Sequence, residues 1–234
     1  MESLERSLPL KILFSIFVIF AISLPAFTQV TATQQDIKFQ TWVLAEEIPS
    51  VDEPVAKDDF ISLPVKKLKE QIPFIISGMI YGWDFEYVPY DKQRGVAEFF
   101  DFSPVEEIKY PASNISYSEM KVEDGKFFCW VTYKRTDEMF ALRQHWNSAA
   151  FPHIKGKGYG SVLNNFEGLQ QAYNEAIKQA VHEYYRTFIK NKPKEIRGTV
   201  LLEENPLVNV YEGKYVVQLK LILRTEEILS YSVY

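Results

Sequence analysis

From residue 165 onward, apolar side chains recur every three or four positions: Leu169, Ala172, Tyr173, Ala176, Ile177, Ala180, Val181, Tyr184 and Phe188. Polar residues fill the other face, so the spacing predicts one long amphipathic helix over 165–190, stopped by Pro193. Its small Ala172, Ala176 and Ala180 suit close packing on a sheet.

Elsewhere the period falls to two. Met79, Tyr81, Trp83, Phe85 and Tyr87 alternate, with Asp84 and Glu86 on the opposite face, which is the mark of a half-buried strand. DKQRG at 91–95 turns the chain, and Val96 to Phe102 return as a second strand. Asp124-Gly125 supplies a positive-φ pair for another hairpin, between ISYSEMKVE and KFFCWVTYK. Together these predict a four-stranded antiparallel sheet over about 74–135. Residues 138–151 suit a helix with Phe140, Leu142 and Trp146 partly buried, closed by Pro152. Strands over 196–204 and 208–227 close the chain, with Glu212-Gly213 turning inside the second stretch.

The fold class expected is α+β: antiparallel β-hairpins, or a meander, packed on one long amphipathic helix. DGKFFCWVTYKRTDE at 124–138 echoes EGKYVVQLKLILRTEE at 212–227, which leaves two similar α+β halves as an alternative. Against duplication, Gly125 to Arg135 spans ten residues and Gly213 to Arg224 eleven, and a one-residue slip exchanges the faces of a strand.

The N-terminus changes the picture. Arg6 and Lys11 precede an apolar run from Ile12 to Leu24, broken only by Ser15 and Ser23. As a helix that run is about 20 Å long, short of a hydrocarbon core of about 30 Å. Pro25 follows, and Val30-Thr31-Ala32 presents small residues at a cleavage site. The expectation is a signal peptide over 1–32, cleaved after Ala32, and a periplasmic or extracellular mature chain. An uncleaved anchor is the alternative, and the only membrane contact expected. Residues 33–60 then read as an acidic, extended lead-in, in which Phe39 to Leu44 offer an edge strand. From 36 to 60 there are seven acids against two bases, Lys38 and Lys57. Residues 61–151 read as mainly antiparallel β, and 152–234 as a glycine loop, the long helix and a C-terminal β-hairpin.

Composition excludes some functions. Lys and Arg number 26 against 31 Asp and Glu, a formal net charge of −5, which argues against nucleic acid as a partner. Cys129 is the one cysteine, so no intrachain disulfide exists, and its apolar setting in KFFCWV reads as core.

Candidate chemistry is sparse. IKGKGYGSVL, residues 154–163, sets Gly156, Gly158 and Gly160 among lysines, but lacks the Gly-Lys-Ser/Thr of a Walker loop and the G-x-G-x-x-G of a dinucleotide site. It reads as a flexible joint or a short edge strand, with Lys155, Lys157 and Tyr159 as candidate contacts for an anionic group or a partner. The row Tyr81, Trp83 and Tyr87 is either a stacking platform or the core face of its strand, and the alternation favours core. Asp84 and Glu86 lie roughly 7 Å apart on one strand face, a spacing compatible with an inverting glycosidase but without a companion motif. His145, His153 and His182 show no metal-ligand spacing. No catalytic residue, metal or cofactor is expected.

The function expected is that of an exported, non-catalytic scaffold or binding protein of a cell-envelope assembly, with an envelope protein or a second copy as partner. An exported small-ligand or glycan-binding module is the alternative, and an envelope hydrolase ranks third.

Overall fold

The computed structural model describes residues 36–45, 62–109, 112–188 and 191–231. The expected signal peptide, its expected cleavage site and most of the acidic lead-in lie outside the described residues. The chain divides into two units, Met1–Gln34 and Gln35–Tyr234, and all described residues belong to the second.

Among them the order of elements is β1 (Asp36–Leu44), α1 (Ser62–Ile80), β2 (Trp83–Val88), β3 (Phe99–Pro104), β4 (Ile115–Glu123), β5 (Lys126–Lys134), α2 (Asp137–His145), β6 (His153–Ser161), α3 (Asn165–Phe188), β7 (Glu195–Leu202), β8 (Leu207–Tyr211) and β9 (Lys214–Leu229). The fold is α+β, with every strand pair antiparallel. The strands form two sheets. One has three strands in the order β1-β5-β4; the other runs β3-β2-β7-β9-β6, with β8 on the start of β9. The two predicted hairpins therefore separate: β2–β3 joins the large sheet, while β4–β5 joins the small one beside β1.

The region expected to be mainly β opens instead with α1. Its second half is buried on all sides, from Gln71 and Ile72 through Phe74–Ile80, because it packs against β1 and β5 on one flank and β7 on the other. A helix sheathed by two sheets shows no polar stripe, and Pro73 within it reads as a breaker, so periodicity missed it. Met79 belongs to this helix, not to a strand. Gly82, at φ +87°, ends the turn: the N–H groups of Tyr81 and Gly82 both donate to the Ser77 carbonyl. Of the predicted five-position ladder only Trp83, Phe85 and Tyr87 remain, within β2.

The long helix, α3, forms as expected and lies along β6. Here the glycine segment finds its role. It is an edge strand, and Gly156, Gly158 and Gly160 all face α3. A methyl built on any of them would fall under 3.0 Å from a helix carbonyl oxygen, of Ala176, Ala172 and Gly168 respectively. Two strand residues advance about 6.6 Å and four helix residues about 6 Å, so glycines at every second position meet small residues at every fourth. The exposed edge is capped as well. The N–H of Lys157 donates to Gln179 Oε1 at 2.6 Å and that of Tyr159 to Glu175 Oε2 at 3.1 Å.

Candidate functional site

Strand β5 is apolar on both faces. Phe127, Cys129, Val131 and Tyr133 point to the core, where burial pushes the Cys129 thiol up to about 11. Phe128 and Trp130 point the other way and are half-buried. Register sets Trp42 of β1 and Lys121 of β4 on either side of Phe128, and Gln40 and Ser118 on either side of Trp130. Residues directly opposite across a ladder share a face. The outer face of the small sheet thus carries Trp42, Phe128 and Trp130 together, with the Trp42 and Phe128 ring centroids 6.5 Å apart.

Each ring has an ammonium over it. Lys126 Nζ lies 4.3 Å from the Trp42 centroid, Lys38 Nζ 5.1 Å from that of Trp130, and Lys121 Nζ 5.6 Å from that of Phe128. Lys121 also pairs with Glu123 at 2.5 Å, and that lysine holds the Glu123 carboxyl below its ordinary range. Among the described residues Lys38 and Lys126 have no carboxylate partner. From Lys126 to Trp130 the platform runs about 13 Å along the strand. At its free edge, β4 carries a register shift between Ser118 and Lys121, with Glu119 at φ 51°, which blunts pairing by another strand. The chemistry available is stacking on flat rings combined with ammonium groups free to turn toward an anion.

The residues singled out from the sequence lie elsewhere, in three places. Trp83 and Tyr87 are core, at 0% and 1% exposure, so they form no stacking platform. Trp83 stacks on Phe74 at 4.8 Å, over the space left by the absent side chain of Gly78. Tyr81 is half-buried at the exit of α1, its phenol pushed up to about 12 by burial and by the nearby Glu106. Lys155 and Lys157 do share a groove of 390 Å³ with Lys220, Gln218 and Leu207. In it Lys155 sits directly across from Lys220, whose ammonium pairs with Glu204 at 2.7 Å. Tyr159 is exposed, with Lys157 Nζ 5.2 Å from its ring.

The remaining candidates do not converge. Thr199, fully buried, donates to Asp84 Oδ1 at 2.8 Å or to Glu226 Oε1 at 3.0 Å, and accepts from Arg224 Nη2. Asp84 is thereby built into a polar network, with Glu86 beside Arg197 and Asp101 on the same outer face. His145 lies against Phe151, His153 pairs with Glu203 at 3.1 Å, and His182 bonds Tyr87. Among the described residues no group of three or more His, Cys, Asp or Glu side chains could hold a metal ion, and no helix is long and apolar enough to cross a membrane.

Sequence reasoning passed over Trp42, Phe128 and Trp130. The signal was present in KFFCWV, an unbroken apolar run in a hairpin strand, where strict alternation would leave one face polar.

Residues 24–231 match the profile of a protein family defined by a domain of unknown function, and the chain belongs to that family. It is 28% identical over 204 residues to an uncharacterized protein of Treponema pallidum (strain Nichols), covering 87% of this chain and 85% of that one. No solved structure matches.

Proposed function

We propose that this chain is an exported, non-catalytic binding protein of the cell envelope that holds an anionic glycan across the outer face of its small sheet. One observation carries the reading: three aromatic rings in a contiguous surface row, each overlain by a lysine. Sugar rings present flat C–H faces that stack on Trp and Phe, and acidic substituents would draw the ammonium groups off the rings they cover. Charge complementarity thus favours an acidic over a neutral polymer. Export rests on the basic start, short apolar run and small-residue exit of residues 1–32. Compared with the scaffold expectation, a small polar-flanked aromatic row favours a ligand with repeating rings over a broad protein interface.

The test is titration of the purified chain with an acidic polysaccharide and with a neutral one such as dextran, followed by tryptophan fluorescence. The acidic polymer should bind and quench, and Trp130→Ala should weaken binding about tenfold or more, the worth of roughly 1.4 kcal/mol. Equal binding of both polymers, or no effect of Trp130→Ala and Lys126→Gln, would refute the assignment. Cross-linking from residue 128 to a stoichiometric protein partner would replace it with the scaffold reading.

A further inference from the structure

A second, independent site lies at the far end of α3, where a pocket of 400 Å³ opens between that helix, the end of β2 and the start of β7. Its floor is apolar: Tyr185, Pro193 and Ile196 are buried. Its rim is cationic, formed by Arg186 and Lys192 with the His182 imidazole between floor and solvent. Lys192 Nζ rests on the Tyr90 carbonyl at 2.6 Å and 5.7 Å from the ring of Tyr90, which is itself 54% exposed. Among the described residues Arg186 pairs only with Glu183 one turn back, where both side chains are open to water and the pairing is weak.

Among the described residues one carboxylate lines the pocket, and it is already engaged. Glu98 accepts from the Tyr87 hydroxyl at 3.1 Å through one oxygen and from Lys178 Nζ at 3.1 Å through the other. A phenol has a single proton. With Glu98 taking it, His182 donates from Nδ1 to the Tyr87 oxygen, 2.7 Å away, which leaves Nε2 on the far side of the ring as an acceptor. Burial and the Glu98 charge hold this phenol well above its ordinary pKa, so the arrangement keeps its proton. Tyr87 is thus a positioning residue that orients the imidazole. We infer that this pocket binds a small amphipathic anion, with a phosphate or carboxylate held by Arg186 and Lys192 beside the His182 ring and a flat apolar body laid on Tyr185 and Ile196. Its volume is that of a small-ligand site, and a single convergent cationic edge over an apolar floor selects that chemistry.

The experiment is calorimetric titration of the purified chain with phenyl phosphate, benzoate, phenol and inorganic phosphate. Phenyl phosphate or benzoate should bind one to one, at least tenfold tighter than phenol and tenfold tighter than inorganic phosphate. Lys192→Gln and Arg186→Gln, both at exposed positions, should each weaken it about tenfold, while Lys157→Gln changes nothing. NMR should show the His182 ring resonances moving on saturation. Phenol binding as tightly as phenyl phosphate would overturn the anion requirement, and inorganic phosphate binding as tightly would overturn the apolar floor. No heat and no movement of the His182 resonances at millimolar ligand would overturn the site.

Discussion

A methyl group on residue 158 would occupy space that the Ala172 carbonyl oxygen already holds. Gly158→Ala is therefore expected to destabilise the chain by about 1–3 kcal/mol, since α3 must lift from β6 along its length. Gly213→Ala meets nothing within 4 Å and costs only its left-handed φ of +70°, about 1–2 kcal/mol. Urea denaturation of the two variants checks the ranking, and equal losses would show that helix–strand contact is not what selects glycine at 158. Cys129 permits a second test at this scale. Fully buried, with its thiol pushed up to about 11 from 9.0, it carries roughly a hundredfold less thiolate at pH 8 than an exposed cysteine. A thiol reagent at that pH should leave the native chain unmodified and label it at once in denaturant; rapid native labelling would contradict the burial.

Between elements, one buried polar link ties the central helix to the small sheet. Gln71 Nε2 donates to Thr41 Oγ1 at 2.8 Å, with both residues near 5% exposure or less. Thr41→Val leaves that amide only its longer bond to the Trp42 carbonyl, at 3.4 Å, and should cost about 1–3 kcal/mol; the double variant Thr41→Val with Gln71→Leu should recover most of it. Thermal melts of Thr41→Val, Gln71→Leu and the double variant measure this, and additive losses would show the bond to be incidental. At the same scale α3 was legible because one face meets solvent and the other meets a sheet. α1 was not, because sheets flank it on both sides and erase the stripe. Strand β5 was legible as a strand, yet its second apolar face gained meaning only when Trp42 arrived from a segment some 86 positions away in the chain, paired in register with Phe128.

Over the whole molecule, burial raises the phenols of Tyr81, Tyr87, Tyr133, Tyr173, Tyr185 and Tyr215. The unfolded chain releases these protons near pH 10 while the folded chain retains them, so above pH 10 the unfolded state binds fewer protons and falls in free energy relative to the native state. The contribution is fully present below pH 10 and is lost as pH climbs through about 12, the value reached by Tyr81. The Cys129 thiol adds to the same loss from pH 9 to about 11. Circular dichroism should show the urea midpoint falling steeply above pH 10, with the tyrosinate absorbance of these six phenols added only as the chain unfolds. A midpoint flat to pH 12 would mean that these phenols titrate as if exposed.

Local pattern was enough to establish the α+β class, the long helix and both glycine turns, because period and turn chemistry are properties of neighbouring residues. It also narrowed the glycine segment to a joint or an edge strand, and it favoured Trp83 and Tyr87 as core. Which sheet each hairpin joins, the burial of α1 and the meeting of Trp42 with Phe128 and Trp130 depend on pairings between distant segments, which no local period encodes. The same holds for Tyr87 and His182, brought to 2.7 Å across 95 positions of chain. Side chains distant in sequence acquire a shared chemistry only after the backbone has chosen its partners.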